Sequence, residues 1–443
     1  MYPYQTFTVI TDNGPYITKL LLHAPVELRA EALRTEAFCV YVERRHPETG
    51  ELFMASKTWL GEKKYPSKGY REVTAVYPCN EKGEPVPKSK ILALEMPYGP
   101  CYPLGYSQAW FGRMNIFVHS EYRIMQVREI PAELPVSGMV FDEFAGDICP
   151  QCRRWENGRS AYAPMPLGYG LFTPDFAQIR KEMKKAAALG QPVGKLPKKI
   201  PLVIWLHGAG EGGSDPTVAY TGNKVVALSE PDIQRKLGGA AYILTPQAPT
   251  MWMDMGEARY TTNGESIYTK ALMACIEEVV GSHKDIDPCR IYIGGCSNGG
   301  YMTMRMILRY PDYFAAAYPV CEAFEDEWIT DGDIARIKDI PIWFTHAAND
   351  PVVLPEKTVL PTFKRLRAAG GGNIHASYFD RVVDQSGLFR DELGRPYEYL
   401  GHFSWVHAFN DFCTTDMDGT RVLCDGIPVS LWQWIGLQKK VRS

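Results

Sequence analysis

Hydrophobic and polar residues follow two rhythms along the chain. In residues 1–130 the rhythm has period 2. Phe38, Val40 and Val42 alternate with Cys39, Tyr41 and Glu43, as in a strand with one face buried. Val73, Ala75 and Tyr77 repeat it, then Leu92, Leu94 and Met96, then Met114–Val118 and Tyr122–Val127. Turn residues such as Asn80-Glu81-Lys82-Gly83 separate the runs. Short strands at this spacing, with almost no helical period, predict an all-β antiparallel sandwich over 1–130. In 131–165 the rhythm breaks up around Pro131, Pro135, Pro150 and Pro164, and this stretch reads as a linker.

A second domain is predicted over 166–443, opening with a strand inside Pro166–Pro174. The lysine-rich stretch Arg180–Lys199 interrupts it. A solvated helix and loop at the domain edge explain that charge more simply than a ligand-binding patch. From 200 onward strands alternate with helices, and the first strands are continuous apolar runs. Pro201–Leu206 is one, as a strand buried on both faces should be, and Ala241–Leu244, Arg290–Ile293, Ala315–Pro319, Ile340–Thr345 and Ala376–Phe379 follow. Helical period fills the gaps. Ile267, Ala271, Cys275 and Val279 recur at four-residue steps before Gly281, and Asn298–Tyr310 stops at Pro311. Further helices are predicted over Glu356–Ala368 and Leu431–Lys440. Alternating strand and helix means an α/β fold, a mostly parallel sheet with helices on both faces.

Composition narrows the function classes. Of 443 residues, 45% are hydrophobic and 22% charged, which excludes a largely disordered chain. The 48 basic and 51 acidic residues leave a net charge of -3, so no positive field serves nucleic acid or an anionic membrane. No apolar run approaches the ~20 residues of a membrane-crossing helix. The opening MYPYQTFTVI lacks a charged segment followed by an apolar one, so a cytoplasmic location is expected. Eleven scattered cysteines, an odd number, fit buried free thiols better than a disulfide scaffold. Cys149 and Cys152 form a lone CxxC. Zinc would need a second pair at the usual spacing and none follows, so no metal is expected.

Four segments carry chemistry. Gly295-Cys296-Ser297-Asn298-Gly299 is G-x-S-x-G between a predicted strand and a predicted helix, the context of a nucleophile elbow. Flanking glycines remove Cβ clashes, and the strained turn lifts Ser297 Oγ above the sheet. Trp205–Gly213 runs a strand into a His-Gly-rich loop, from which the Ala209 N–H, with that of Asn298, can form an oxyanion hole. It lacks both the Walker lysine ending and GxGxxG, which excludes a phosphate loop. Asp350 lies just past a strand and 53 residues after Ser297, in the order Ser, Asp, His expected of a carboxylate that orients an imidazole. Gly401–His407 offers two histidines as general base. His402 is favoured, because Gly401 frees the backbone and Phe403 and Trp405 can anchor the loop. His407 precedes Ala408-Phe409, the start of a helix, and is expected to pack or face solvent. Trp252 and Trp405 are candidate walls of a substrate site, although core packing explains them more simply.

In order along the chain, HGAGEGG, GGCSNGGYM, THAANDPVV and GHFSW resemble α/β-hydrolase esterases of the prolyl-oligopeptidase-like and polyhydroxybutyrate-depolymerase-like group. More narrowly, they resemble the bacterial "predicted peptidase" esterases with an N-terminal immunoglobulin-like domain. That resemblance covers 166–443, and NGPYITKLLL and GYREVTAVY extend it to the N-terminal domain. It implies an α/β-hydrolase fold after an immunoglobulin-like sandwich, and a serine esterase with triad Ser297, Asp350 and His402, needing no cofactor. It places the base just before the x-Ser-Trp segment, at His402. The expected substrate is a small-molecule or oligosaccharide ester. The N-terminal domain is expected to mediate homo-oligomer contacts or shape access to the site. A peptidase shares the same triad and stays open as the alternative, although the N-terminal domain is too small and non-repetitive to be a propeller gate. A non-enzymatic carbohydrate-binding or adhesion protein is the other rival, and the intact triad argues against it. The charged insertion and the missing signal peptide depart from the group, whose members are often exported.

Overall fold

The computed structural model describes residues 1–53, 66–131, 135–189 and 198–440. The chain divides into two compact units, Met1–Arg153 and Arg154–Ser443.

The described residues of the first unit form β1 (Tyr2–Thr11), β2 (Gly14–Arg29), β3 (Phe38–Arg45), β4 (Lys68–Arg71), β5 (Ala75–Cys79), β6 (Lys88–Glu95), β7 (Gln108–Phe111), β8 (Met114–Phe117), β9 (His119–Gln126) and β10 (Val140–Ile148). β7 and β8 pair with each other, and the other eight form one ladder, β4-β3-β9-β10-β1-β2-β6-β5. Only the β1–β10 pairing in it is parallel. β3 alternates as expected, with Phe38, Val40 and Val42 inward. No α-helix among the described residues of this unit covers that face. Even so, Leu20, Leu22, Val42, Leu92, Leu94 and Phe141 are fully buried, so the cover is the sheet itself, folded over. Arg71 at the β4 edge shows the fold-over directly. Its guanidinium donates to the Ile17 carbonyl on β2 at 3.0 Å, to Tyr122 Oη on β9 at 2.7 Å and to the Pro97 carbonyl at 3.0 Å. In a flat ladder β4 and β2 would stand five strands apart, roughly 24 Å.

The stretch expected to be a linker, 131–165, is structured where described, and the boundary between the units falls after Arg153 rather than across a spacer. β10 lies inside it and joins the first ladder between β9 and β1. Only Phe141 of its nine residues is fully buried, so it leaves no hydrophobic period to read. β11 (Trp155–Arg159) also lies inside it and starts the second unit.

The second unit continues with β12 (Gly168–Phe172), β13 (Ile200–Leu206), β14 (Tyr242–Gln247), β15 (Ile286–Cys296), β16 (Ala316–Val320), β17 (Ile342–Ala347) and β18 (Ile374–Phe379), in the order β11-β12-β14-β13-β15-β16-β17-β18. β11, β12 and β14 pair antiparallel, whereas β14 through β18 run parallel. β13, β14, β16 and β17 are buried at every residue, the burial that helices on both faces produce. The expected helices form at Thr269–Ser282, Asn298–Arg309, Val359–Ala368 and Leu431–Leu437. The charged insertion begins as the helix Phe176–Ala188, and its positions 190–197 lie outside the described residues. Parallel strands share one carboxyl-end edge, and loops leaving that edge converge.

Candidate active site

Each motif sits where a parallel strand ends. β15 ends at Cys296, and Ser297 turns the chain into the helix Asn298–Arg309 with φ 54° and ψ -114°. A residue with a Cβ is strained there, and its surroundings must hold it. The Ser297 N–H donates to the Val320 carbonyl at the end of β16 at 2.9 Å, and the Ser297 carbonyl accepts the Tyr301 N–H at 2.8 Å. A Cβ on Gly295 or Gly299 would fall onto the Leu206 carbonyl oxygen at the end of β13. The elbow therefore meets β13 backbone to backbone, a contact that only glycine permits.

From Leu206 the chain enters His207-Gly208-Ala209. His207 is fully buried with both ring nitrogens engaged. Nε2 accepts the Ala248 N–H at 3.0 Å and Nδ1–H donates to the Gly208 carbonyl at 2.6 Å. Burial away from water disfavours the charged ring and lowers its pKa to about 4, although the Gly208 carbonyl pulls the other way. A planar trans peptide points its N–H opposite its carbonyl. With the Gly208 carbonyl drawn to His207, the Ala209 N–H is turned away from that ring. Among the described residues neither the Ala209 nor the Asn298 amide has a protein acceptor.

β17 ends at Ala347, and Asp350 follows. Its Oδ1 accepts the amides of Val352 at 2.8 Å and Val353 at 3.0 Å. Its Oδ2 accepts His402 Nδ1–H at 2.8 Å and His346 Nε2–H at 3.1 Å. Burial pushes this carboxyl up, but the hydrogen bonds from His346 and His402 outweigh it and hold Asp350 well below the usual carboxylate range. With Nδ1 donating to Asp350, Nε2 is the basic nitrogen of a neutral His402. The ring sits in the turn Gly401–Phe403, where a Cβ on Gly401 would collide with Asn349. Trp405 meets the His402 ring edge-on at 5.9 Å, and Phe403 stacks on Trp405 at 4.6 Å, the anchor expected of this loop. His407 lies apart. It stacks on Phe379 at 4.0 Å, and its Nε2 reaches the Arg381 carbonyl at 3.3 Å. Trp252 is fully buried against His207 and Tyr268, so it supports the Gly-rich loop and presents no surface to a substrate.

Three residues of this edge were not singled out in the sequence. His207 lies inside the Gly-rich motif but acts through its own backbone. His346, four residues before Asp350, shares its Nε2–H between Asp350 and the Val353 carbonyl at 3.1 Å. Glu322 follows β16, fully buried. Its Oε2 accepts the Phe324 N–H at 2.7 Å, Oε1 lacks a protein partner among the described residues, and burial pushes its pKa well above the carboxylate range.

Two family models match the chain. One, the esterase immunoglobulin-like N-terminal domain, covers residues 3–133, and the other, the prolyl oligopeptidase family, covers 251–346, which includes Ser297. Both matches agree with the resemblance to prolyl-oligopeptidase-like esterases that carry an immunoglobulin-like N-terminal domain. A solved structure described as a thermostable esterase matches this chain with a TM-score of 0.71 at 22% identity, over 98% of this chain and 99% of that one. At that identity the likeness shows the fold, an α/β-hydrolase fold preceded by an all-β domain. Poly(3-hydroxyalkanoate) depolymerase C of Paucimonas lemoignei is 29% identical over 133 residues. The match spans about 28% of the length of that curated relative.

Proposed function

We propose that the chain is a carboxylic-ester hydrolase that works through an acyl-enzyme on Ser297. The observation that carries this reading is the buried Asp350–His402 pair on the sheet edge where the strained Ser297 turn also ends. In this reading His402 Nε2 takes the Ser297 proton as Oγ attacks the ester carbonyl, and later returns it to the leaving alcohol. Asp350, ionised and held by four donors, fixes the His402 tautomer and stabilises the imidazolium that forms. The Ala209 and Asn298 amides receive the oxyanion, each worth roughly 3 kcal/mol in the transition state. Water activated by His402 then releases the acid. The acid limb of the rate profile follows from the same roles, because a protonated Nε2 cannot accept the serine proton.

The substrate class in this reading is a small-molecule or oligosaccharide ester. The match of an esterase-type N-terminal domain favours ester over peptide cleavage. The test is a panel of aryl esters, acetylated sugars and feruloyl sugars beside a proline-containing peptide, with wild type and Ser297→Ala in parallel. Ester turnover that falls by roughly four to six orders of magnitude in Ser297→Ala is the expected result. Peptide turnover exceeding all esters would replace the esterase reading. Wild type inert to a fluorophosphonate would remove the serine mechanism.

A further inference from the structure

The Cys149-Pro150-Gln151-Cys152 turn has no part in the chemistry above. It follows β10 in the first unit, and the structure brings its two sulfurs to 3.1 Å of each other. Both cysteines are half-buried, so solvent reaches them. The turn is held rather than loose. Pro150 fixes its first φ, the Cys152 N–H donates to the Cys149 carbonyl at 3.1 Å, and the Arg153 N–H donates to the Pro150 carbonyl at 3.3 Å. Gln151 points the other way and clamps β1. Its Oε1 accepts the Ile10 N–H at 2.7 Å, and its Nε2–H donates to the Ile10 carbonyl at 3.1 Å. The clamp holds the residue between the two thiols as an added strand residue would be held. The thiols are therefore arranged in advance, and forming an S–S bond needs the sulfurs to close by only roughly 1 Å.

We propose that Cys149 and Cys152 form a reversible dithiol–disulfide site that reacts with low-molecular-weight disulfides. Cys149 is the attacking sulfur. The neighbouring Cys152 thiol lowers its pKa against the opposing effect of burial, while Cys152 itself is pushed up. The Cys149 thiolate attacks one sulfur of R–S–S–R, forming a mixed disulfide and expelling one R–S⁻. Cys152 then loses its proton and attacks the Cys149 sulfur, forming the Cys149–Cys152 bond and expelling the second R–S⁻. The two protons of the protein thiols end on the two released thiols. One dithiol is oxidised and one small disulfide is reduced, so the exchange needs no other reactant.

The test uses the full-length protein with oxidised glutathione, read by thiol alkylation and mass spectrometry of the tryptic peptide Glu129–Arg153, which holds Cys149 and Cys152 and no other cysteine. In wild type this peptide should lose two hydrogens, resist alkylation, carry no lasting glutathione, and regain both thiols with dithiothreitol. Cys152→Ser should keep a stable glutathione adduct on Cys149, and Cys149→Ser should acquire one on Cys152 about tenfold more slowly. Phenylarsine oxide, which needs two adjacent thiols, should block alkylation of both wild-type cysteines and so tests the pair without substitution. The proposal fails if the wild-type peptide keeps two alkylatable thiols while exposed Cys101 is glutathionylated. It fails equally if the peptide ends with two glutathione adducts.

Discussion

Both units centre on a ladder of eight strands, yet the candidate site lies on only one of them. In the first, antiparallel neighbours send successive strand ends to opposite edges, and the histidines stay scattered. His23 meets Gln5, His46 meets its own turn, and His119 faces an exposed glutamate. Arg71 there ties the β4 edge to β2 and β9. In the second, six parallel strands end together, so the ends of β13, β15 and β17 bring His207, Ser297 and Asp350 to one edge, and the loop after β18 adds His402. Strand direction, more than residue content, separates scaffold from site in this chain.

The comparison is broken most easily at the carboxyl-end edge. His402→Ala should lower kcat by roughly four to six orders of magnitude, while His407→Ala stays within about a few-fold of wild type. Steady-state kinetics on one aryl ester decides between them, and a dead His407→Ala beside a working His402→Ala would move the base to the other ring. The next effect belongs to the first unit and should leave the chemistry alone. Arg71→Met strands the Ile17 and Pro97 carbonyls and the Tyr122 hydroxyl, at a cost of about 3 kcal/mol in denaturant unfolding. Its kcat should match wild type within about twofold, and a parallel collapse of turnover would tie the two units together.

Smaller effects sharpen the picture at the second edge. His346→Phe removes one donor from Asp350 and should lower kcat about tenfold with KM nearly constant. His346→Gln can still offer an N–H to Oδ2 and should recover most of that loss. Equal losses in both variants would reduce His346 to packing. Glu322→Gln is expected to be the mildest. The folded protein raises this pKa, so ionisation opposes folding. Stability is full below the unfolded carboxyl value near ~4.3 and declines as pH rises above it. The glutamine variant should therefore melt higher than wild type at pH 8 and converge with it below pH 4. A variant that melts lower at both would mean that the carboxyl is stabilising.

Period and motif reveal much of this. Alternation locates β3 and β9, because each buries one face, and β6, where Leu92 and Leu94 face the main core and Ala93 a smaller one. Apolar runs locate β13 and β14, and the strand–helix alternation after them locates β15 through β18. Ser297, Asp350 and His402, the residues proposed for the chemistry, are picked out by strand–loop contexts. β10 stays hidden because only Phe141 in it is fully buried, so its pairing with β1 leaves no hydrophobic trace. Arg71 reads as one more surface cation until the sheet folds and brings Ile17, 54 positions away, to its guanidinium. His207 and His346 stand in the motifs, but their roles depend on which ring nitrogen finds which acceptor. Likewise, a CxxC in the sequence does not reveal that Gln151 clamps Ile10 and leaves two sulfurs in contact.

The two bonds of His207 also set how the protein meets acid. The ring is neutral in the folded state with a pKa of about 4, below the ~6.5 of an unfolded histidine. The stability it contributes is complete above that unfolded value and drains away as pH falls toward 4. A protonated Nε2 can no longer accept the Ala248 N–H, so the Gly-rich loop loses its tie to the end of β14. Exposure near pH 4 therefore loosens the Gly-rich loop, and activity lost there should return only as fast as that loop can be rebuilt.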